Sequence, residues 1–230
     1  MTDLSQLRGG LIVSCQAPEG SPMRDPGIIA AIAEAAVIGG AVAVRINSAE
    51  HVAAVRQRVT VPIIGLQKVI DQRGTQWITP TFDDAQALHD AGADIIALDA
   101  TLRQRSGIPV SVLLPAVREL GVPVMADIDD VESGVRAARL GAELVGTTLS
   151  GYTTAPQNRL GGPDIELVHA LAVRSTFVVA EGRIKSSAEV TAAFDAGAFA
   201  VVVGTSITDP MALTRRFLAG RHKLTKGTSS

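Results

Sequence analysis

Apolar residues in this chain fall into short unbroken runs, and one kind of run recurs with a fixed opening. It reads Gly40-Ala41-Val42-Ala43-Val44, Gly92-Ala93-Asp94-Ile95-Ile96, Gly141-Ala142-Glu143-Leu144-Val145 and Gly197-Ala198-Phe199-Ala200-Val201, with successive glycines 52, 49 and 56 residues apart. Runs of a second kind lie between them: Val61-Pro62-Ile63-Ile64-Gly65, Val122-Pro123-Val124-Met125-Ala126 and Ser175-Thr176-Phe177-Val178-Val179-Ala180. Gly10-Leu11-Ile12-Val13-Ser14 completes a set of eight strand candidates. A half-exposed strand would alternate polar and apolar residues, so continuous runs predict parallel strands buried on both faces.

The segments between the runs predict helices at Pro26 to Ile38, Ala49 to Arg58, Phe82 to Ala91, Pro109 to Leu120, Val131 to Leu140, Pro163 to Val173, Ser187 to Ala196 and Pro210 to Ala219. Pro109, Pro163 and Pro210 suit helix starts, because proline has no N–H and the first helical turn needs none; each Gly-Ala glycine suits a C-terminal stop. Strands and helices alternating eight times predict an α/β fold, a closed (β/α)8 TIM barrel, with an open doubly wound sheet as the alternative. Ser14-Cys15-Gln16-Ala17-Pro18 after the first strand lacks the glycines of a dinucleotide-binding turn, which weakens that alternative.

At 230 residues, 47% hydrophobic and 19% charged, the chain has room for one such barrel, expected over residues 1–220, with a frayed tail at 221–230. A formal net charge of -2 provides no Lys/Arg excess for a phosphate backbone, so nucleic acid is not an expected partner. The most apolar stretch, Ile28 to Val44, carries Glu34 and Gly39-Gly40, and no membrane span is expected. The opening MTDLSQLRGG has no secretory apolar segment and Cys15 stands alone, which points to the cytoplasm and to a buried structural thiol.

Barrels of this kind place their chemistry at the C-terminal ends of the strands. The polar residues there are Gln16, Arg45, Lys68, Asp99, Asp127, Thr147-Thr148, Glu181 and Gly204-Thr205. For Asp99 and the threonines, tying down loop ends is as good a reading as substrate contact. For Lys68 and Glu181 it is a weaker one, because a buried charge is costly unless paired or used. Glu181-Gly182-Arg183-Ile184 and Val203-Gly204-Thr205-Ser206 follow the seventh and eighth strands, where such barrels cradle phosphate on backbone N–H groups. Gly182, Arg183, Gly204 and Thr205 are therefore the candidate phosphate contacts.

The four histidines, His51, His89, His169 and His222, fall on helices or in the tail, and with one cysteine they suggest no metal site. Ser150 has no rim histidine to activate it. No cofactor is expected.

Gly10 to Gln16, Ile78-Thr79-Pro80-Thr81, Ala93 to Thr101, Met125-Ala126-Asp127-Ile128, Gly146 to Thr153 and Ala180-Glu181-Gly182-Arg183 together resemble the N-acetylmannosamine-6-phosphate 2-epimerase family, from about residue 9 to about residue 218. The resemblance implies a cytoplasmic, often dimeric barrel enzyme, here expected as a homodimer. Its implied activity interconverts N-acetylmannosamine 6-phosphate and N-acetylglucosamine 6-phosphate in sialic-acid breakdown. It implies catalytic roles for Lys68 and Glu181, and sugar or phosphate contacts for Gln16, Arg45, Asp127 and Arg183; Thr148 joins them as a rim substrate contact. One departure is Val69-Ile70 after the lysine, where the family commonly has a basic residue directly following.

Two other readings compete. One is another phosphate-binding barrel isomerase, such as a pentose-phosphate epimerase or an amino-acid-biosynthetic isomerase, of which a metal-dependent pentose epimerase would bring histidines to the rim; the other is a non-catalytic sugar-phosphate sensor, which would keep Gly182 and Gly204 while losing Lys68 or Glu181. Neither pattern is present.

Overall fold

A computed structural model describes residues 2–105, 107–153, 161–174 and 177–220. The chain begins with β1 (Leu11–Cys15), α1 (Pro26–Ile38), β2 (Ala43–Asn47), α2 (Ala49–Arg56) and β3 (Ile63–Leu66). A hairpin of β4 (Lys68–Ile70) and β5 (Gln76–Ile78) interrupts the alternation. It resumes with α3 (Phe82–Asp90), β6 (Ile95–Asp99), α4 (Val110–Arg118), β7 (Val124–Asp127), α5 (Val131–Arg139), β8 (Leu144–Gly146), α6 (Ile165–Ala172), β9 (Val178–Glu181) and α7 (Ser187–Asp195). The elements β10 (Ala200–Val203), a one-turn α8 (Thr205–Thr208) and α9 (Pro210–Ala219) follow. All strands but the hairpin pair are parallel and close in the order β1-β10-β9-β8-β7-β6-β3-β2. This is the (β/α)8 barrel that the alternation predicts.

The helices at Pro26–Ile38 and Pro210–Ala219 match their sequence expectations residue for residue, while the strands begin one to three residues later than their apolar runs. The reason lies in the Gly-Ala pairs. Gly40 has φ 102 and Gly197 φ 97, and Gly92 and Gly141 share this left-handed conformation. At each, the glycine N–H bonds three residues back and the alanine N–H five residues back, as in Gly40 to Val37 O at 2.9 Å and Ala41 to Ala36 O at 3.0 Å. These are the paired bonds of a Schellman stop, so Gly-Ala belongs to the helix end and not to the strand.

Strand alternation sorts the remaining residues into two cores. Ile12, Ala43, Ile64, Ile95, Ala97, Met125, Leu144, Val179, Ala200 and Val202 fill the barrel interior, with Leu7 packed among them. Val13, Cys15, Val44, Ile46, Ile63, Ile96 and Leu98 form the layer beneath the helices. Burial pushes the Cys15 thiol up to about 12, consistent with an inert structural cysteine. The tail expected at 221–230 and the strand start at Ser175-Thr176 lie outside the described residues.

The two stops differ in surroundings. A Cβ on Gly40 would meet nothing within 4 Å, whereas one on Gly197 would lie 2.8 Å from Ala172 Cβ. Gly40→Ala should therefore show backbone strain alone, about 1–2 kcal/mol in urea unfolding, and Gly197→Ala should lose more. Equal losses would remove the packing component of this account.

Candidate active site

The inward row of several strands ends in a polar residue. Ile12 is followed by Ser14, Ala43 by Arg45, Ala97 by Asp99, Met125 by Asp127 and Val179 by Glu181, each two residues further along and so on the same strand face. Period-two geometry delivers these groups to one mouth.

Arg45 is the centre of that mouth. Its side chain is 1% exposed, and its guanidinium pairs with the carboxylates of both Asp127 and Glu181. Thr148 ties the three together: Arg45 donates to its Oγ1 at 3.1 Å, and that hydroxyl lies 2.6 Å from Asp127 Oδ1 and 3.3 Å from Glu181 Oε2. Thr147 fixes the backbone beneath, its Oγ1 donating to Glu181 O and accepting from Glu181 N-H, both at 3.0 Å. Burial alone would lower the Arg45 pKa, but the two carboxylates outweigh it and hold the value above normal. Burial pushes Asp127 up to about 6 against the opposing pull of Arg45; the Glu181 charge adds to the rise and the Thr148 hydrogen bond opposes it.

Lys68 reaches this cluster from outside the barrel wall. It continues the inward row of Ile64 and Leu66, yet it sits in β4, opposite Ile78 of β5, and Ile78 belongs to the interior core. Cross-strand partners share a face, so the register turns Lys68 toward the mouth. As a residue Lys68 is exposed, but its ammonium has lost enough hydration for burial to lower its pKa; Arg45 lowers it further, while Glu181 and Asp127 raise it. Among the described residues Lys68 closes no ion pair, because Glu181 is taken by Arg45. The mutual Lys68–Glu181 salt bridge that could have explained both residues structurally is not formed.

The remaining rim residues divide. Gln16 donates to Ser14 Oγ at 2.9 Å and leaves its buried Oε1 without a partner, as is the buried Arg45 Nε. A buried acceptor without a donor is expensive, which makes Gln16 Oε1 a place for a ligand N–H or O–H. Arg183 stands at φ 58 after Gly182 at φ 112. Its guanidinium donates to Gly162 O at 2.7 Å and Ser150 O at 2.5 Å and stacks over Tyr152 at 5.4 Å. That guanidinium is thus largely engaged in holding the loop after β8. Gly204 caps the one-turn α8, its carbonyl accepting from Ile207 N–H at 2.8 Å and Thr208 N–H at 3.0 Å; Thr205 is exposed there.

Asp99 proves to be a loop tie. It accepts from Thr101 N–H at 3.0 Å, Thr101 Oγ1 at 2.7 Å and Arg103 Nη2 at 2.5 Å, with Arg105 at 3.7 Å. His51 is buried against Ser48, Asn47 O and Arg24 O. Among the described residues, no three His, Cys, Asp or Glu side chains are gathered closely enough to hold a metal ion.

Sequence reasoning missed Asn47, whose Oδ1 accepts from Lys68 N–H at 2.9 Å, and Thr79. Thr79 is fully buried at φ 45, donates from its N–H to Gln67 O at 2.6 Å and from its hydroxyl to Ala97 O at 2.6 Å, and accepts from Gln67 N–H at 3.0 Å. Ser48, Thr79 and Arg183 are the non-glycine residues with positive φ among those described; Ser48 follows the strand of Arg45, Thr79 ends the hairpin that carries Lys68, and Arg183 lies two residues after Glu181. Strain of this kind persists where surrounding contacts over-determine it, as they do at functional sites.

Fold and mouth together describe an α/β-barrel enzyme whose charges suit proton transfer. A family profile described as "Putative N-acetylmannosamine-6-phosphate epimerase" matches residues 29–223. Relatives named "Putative N-acetylmannosamine-6-phosphate 2-epimerase" include one from Synechococcus elongatus, 51% identical over 209 residues, 89% of this chain and 90% of the relative. Another, from Caldanaerobacter subterraneus subsp. tengcongensis, is 45% identical over 223 residues, 95% of this chain and 93% of the relative. A solved structure described as the N-acetylmannosamine-6-phosphate 2-epimerase from Clostridium perfringens superposes with a TM-score of 0.89 at 37% identity, covering 94% of this chain and 95% of that one. The chain belongs to the N-acetylmannosamine-6-phosphate epimerase family. A thiamine phosphate pyrophosphorylase from Pyrococcus furiosus, at TM-score 0.60 and 17% identity, shares the fold alone.

Two stability experiments probe the cluster. Arg45→Leu would leave the buried Asp127 and the partly buried Glu181 without their guanidinium partner and should cost about 3–5 kcal/mol, read as a lower urea midpoint. Asp127 supplies a pH signature. A carboxyl with a raised folded pKa favours folding most when protonated, so its contribution is complete below its unfolded value of 3.8 and is withdrawn as pH climbs toward about 6. Asp127→Asn should remove that downward slope from the stability profile between these values; an unaltered slope would assign it elsewhere.

Proposed function

We propose that this protein interconverts N-acetylmannosamine 6-phosphate and N-acetylglucosamine 6-phosphate, moving a proton off and back onto the carbon that bears the acetamido group. The observation that carries the reading is the convergence of Lys68, Arg45, Asp127 and Glu181 on one barrel mouth in a chain of the epimerase family.

That carbon becomes acidic only beside an open-chain aldehyde, so the reaction needs ring opening, deprotonation, an enolate and reprotonation on the opposite face. Glu181, partly reached by solvent at 14%, is assigned to the ring and aldehyde oxygens as general acid/base. Lys68 is assigned to the carbon proton, a role its lowered pKa supports by enlarging the neutral amine fraction. Arg45 remains cationic and, with protonated Lys68, faces the negative charge of the enolate. Asp127 and Thr148 orient Arg45, and they reach substrate hydroxyls at the same rim. Gln16 Oε1 accepts from the substrate. The amides of Gly182, Arg183, Gly204 and Thr205, with what remains of the Arg183 guanidinium, take the phosphate.

We assign this activity to the barrel of residues 1–220, as a homodimer in the cytoplasm, on the family resemblance. No helix among the described residues is long and apolar enough to cross a membrane.

The test is incubation with N-acetylmannosamine 6-phosphate in D₂O, followed by NMR. The epimer should form with deuterium at the acetamido-bearing carbon; neither product nor deuterium would overturn the proposal. Lys68→Ala and Glu181→Gln should each lower kcat by about 10²–10⁴ with an unchanged fold by circular dichroism. Full turnover in either would strip that residue of its role.

A further inference from the structure

The hairpin that carries Lys68 is held from its far side by a chain of polar contacts that the mechanism does not use. In its register Lys68 faces Ile78 and Val69 faces Trp77, so Lys68 and Trp77 lie on opposite faces of the hairpin. The first face looks into the barrel. The second is clamped. Trp77 is 7% exposed, its ring lying 4.4 Å from the Arg103 guanidinium and 5.1 Å from that of Arg105. Both guanidiniums are anchored on the fully buried Asp99 at the end of β6, Arg103 at 2.5 Å and Arg105 at 3.7 Å, and Arg105 also donates to Asp99 O at 2.7 Å. The indole N–H donates to Asp71 Oδ2 at 3.0 Å, and Asp71 Oδ1 accepts from the N–H groups of Arg73 and Thr75, closing the turn between the two strands.

Aliphatic packing is not what fixes this face. A cavity of about 470 Å³ lies against it, lined by Asp71, Arg73, Trp77 and Arg103 among others. The hairpin also contributes no strand to the barrel and pairs only with itself. Its pose is set on the barrel side by Ile78 in the interior core, the Thr79 bonds to Gln67 and Ala97 and the Asn47 bond to Lys68 N–H, and on the far side by the clamp at Trp77.

We propose that Trp77, held beneath Arg103 and Arg105 on Asp99, is a positioning residue that sets where the Lys68 amine stands over the barrel mouth. The inference rests on Lys68 being the proton carrier. Two cation–π contacts on one ring favour a single hairpin pose, and misplacing a reacting group by about 1 Å costs on the order of 10²-fold in rate. The charged groups acting on Lys68 are Arg45 of β2, Asp127 of β7 and Glu181 of β9; none belongs to the clamp, so loosening the clamp would change how far the amine sits among them and how well it is hydrated.

The experiment compares the full chain with Trp77→Ala, Trp77→Phe and Arg103→Gln, alongside Lys68→Ala. Trp77→Ala and Arg103→Gln should each lower kcat about 10–100-fold with KM changed less than about threefold. The kcat limb governed by Lys68 should move to higher pH as the amine regains water and its pKa returns toward normal. Trp77→Phe, which keeps an aromatic face beneath the guanidiniums, should recover most of the rate. The chain has a single tryptophan, so the emission of Arg103→Gln reads the clamp directly and should shift to the red if the ring is released. Arg103→Gln also serves should Trp77→Ala fail to fold. Unchanged kcat and pH profile in Arg103→Gln despite a red shift would overturn the inference, as would a kcat loss in Trp77→Ala that Trp77→Phe does not recover. Full turnover by Lys68→Ala would instead overturn the assignment of the lysine, a result distinct from either.

Discussion

Everything at the mouth of this barrel depends on a guanidinium with almost no access to water. Arg45 is buried, and a buried arginine is tolerable only if its charge and its N–H groups are answered. Asp127 and Glu181 supply the charge, and Thr148 supplies an oxygen within reach of all three. Two carboxylates against one guanidinium leave a deficit of positive charge, and Lys68, approaching from the hairpin, is the group that can make it up. The four ionisable groups constrain one another: the cation that stabilises the acids also lowers the affinity of the lysine for its proton.

Parity places these groups. On β7 and β9 the inward row is apolar until its last position, Asp127 or Glu181, and on β2 Arg45 follows the inward Ala43 with Asn47 beyond it. The interior below is filled by Ile12, Ile64, Ile95, Met125, Val179 and their neighbours, with Leu7 among them. Water and substrate therefore meet the charges from one end. The same closed hydrogen-bond ladder that removes sheet edges makes the spacing between Arg45, Asp127 and Glu181 a property of the barrel and not of mobile loops.

How much of this was legible in the sequence follows from how local each determinant is. Helix starts at Pro26 and Pro210 and stops at the Gly-Ala pairs are written in one or two residues, and they fell where the pattern put them. The strands slid because a Gly-Ala pair looks like the opening of an apolar run although its hydrogen bonds close the preceding helix. Charged residues ending buried runs identified Arg45, Asp127 and Glu181, but their mutual pairing spans 82 and 136 positions and no local pattern encodes it. The hairpin was missed. Its signs were present in Val69-Ile70, a polar turn through Asp71 and Gly74, and Trp77-Ile78, yet three-residue strands are too short for their alternation to stand out. Asp99 shows the reverse difficulty, since a carboxylate closing an inward row reads the same whether it meets substrate or two arginines four and six residues on.

The separation of Lys68 from the barrel wall has a physical rationale. A lysine in the inward row of a continuous strand would be enclosed on all sides like Arg45, and Arg45 keeps its charge there because two carboxylates surround it. A proton carrier, the role proposed for Lys68, needs the opposite: enough desolvation to weaken its hold on the proton, and enough access for the proton to move. The chain achieves this by ending β3 at Leu66 and crossing Gln67, which is pinned to Thr79 through backbone and hydroxyl. Lys68 then starts a strand that belongs to a different sheet. Its residue is exposed while its ammonium still feels Arg45, Asp127 and Glu181. On the proposed assignment, fixed charge and labile proton are carried by two supports, the barrel for the first and the hairpin for the second, and each can be held rigid without imposing its environment on the other.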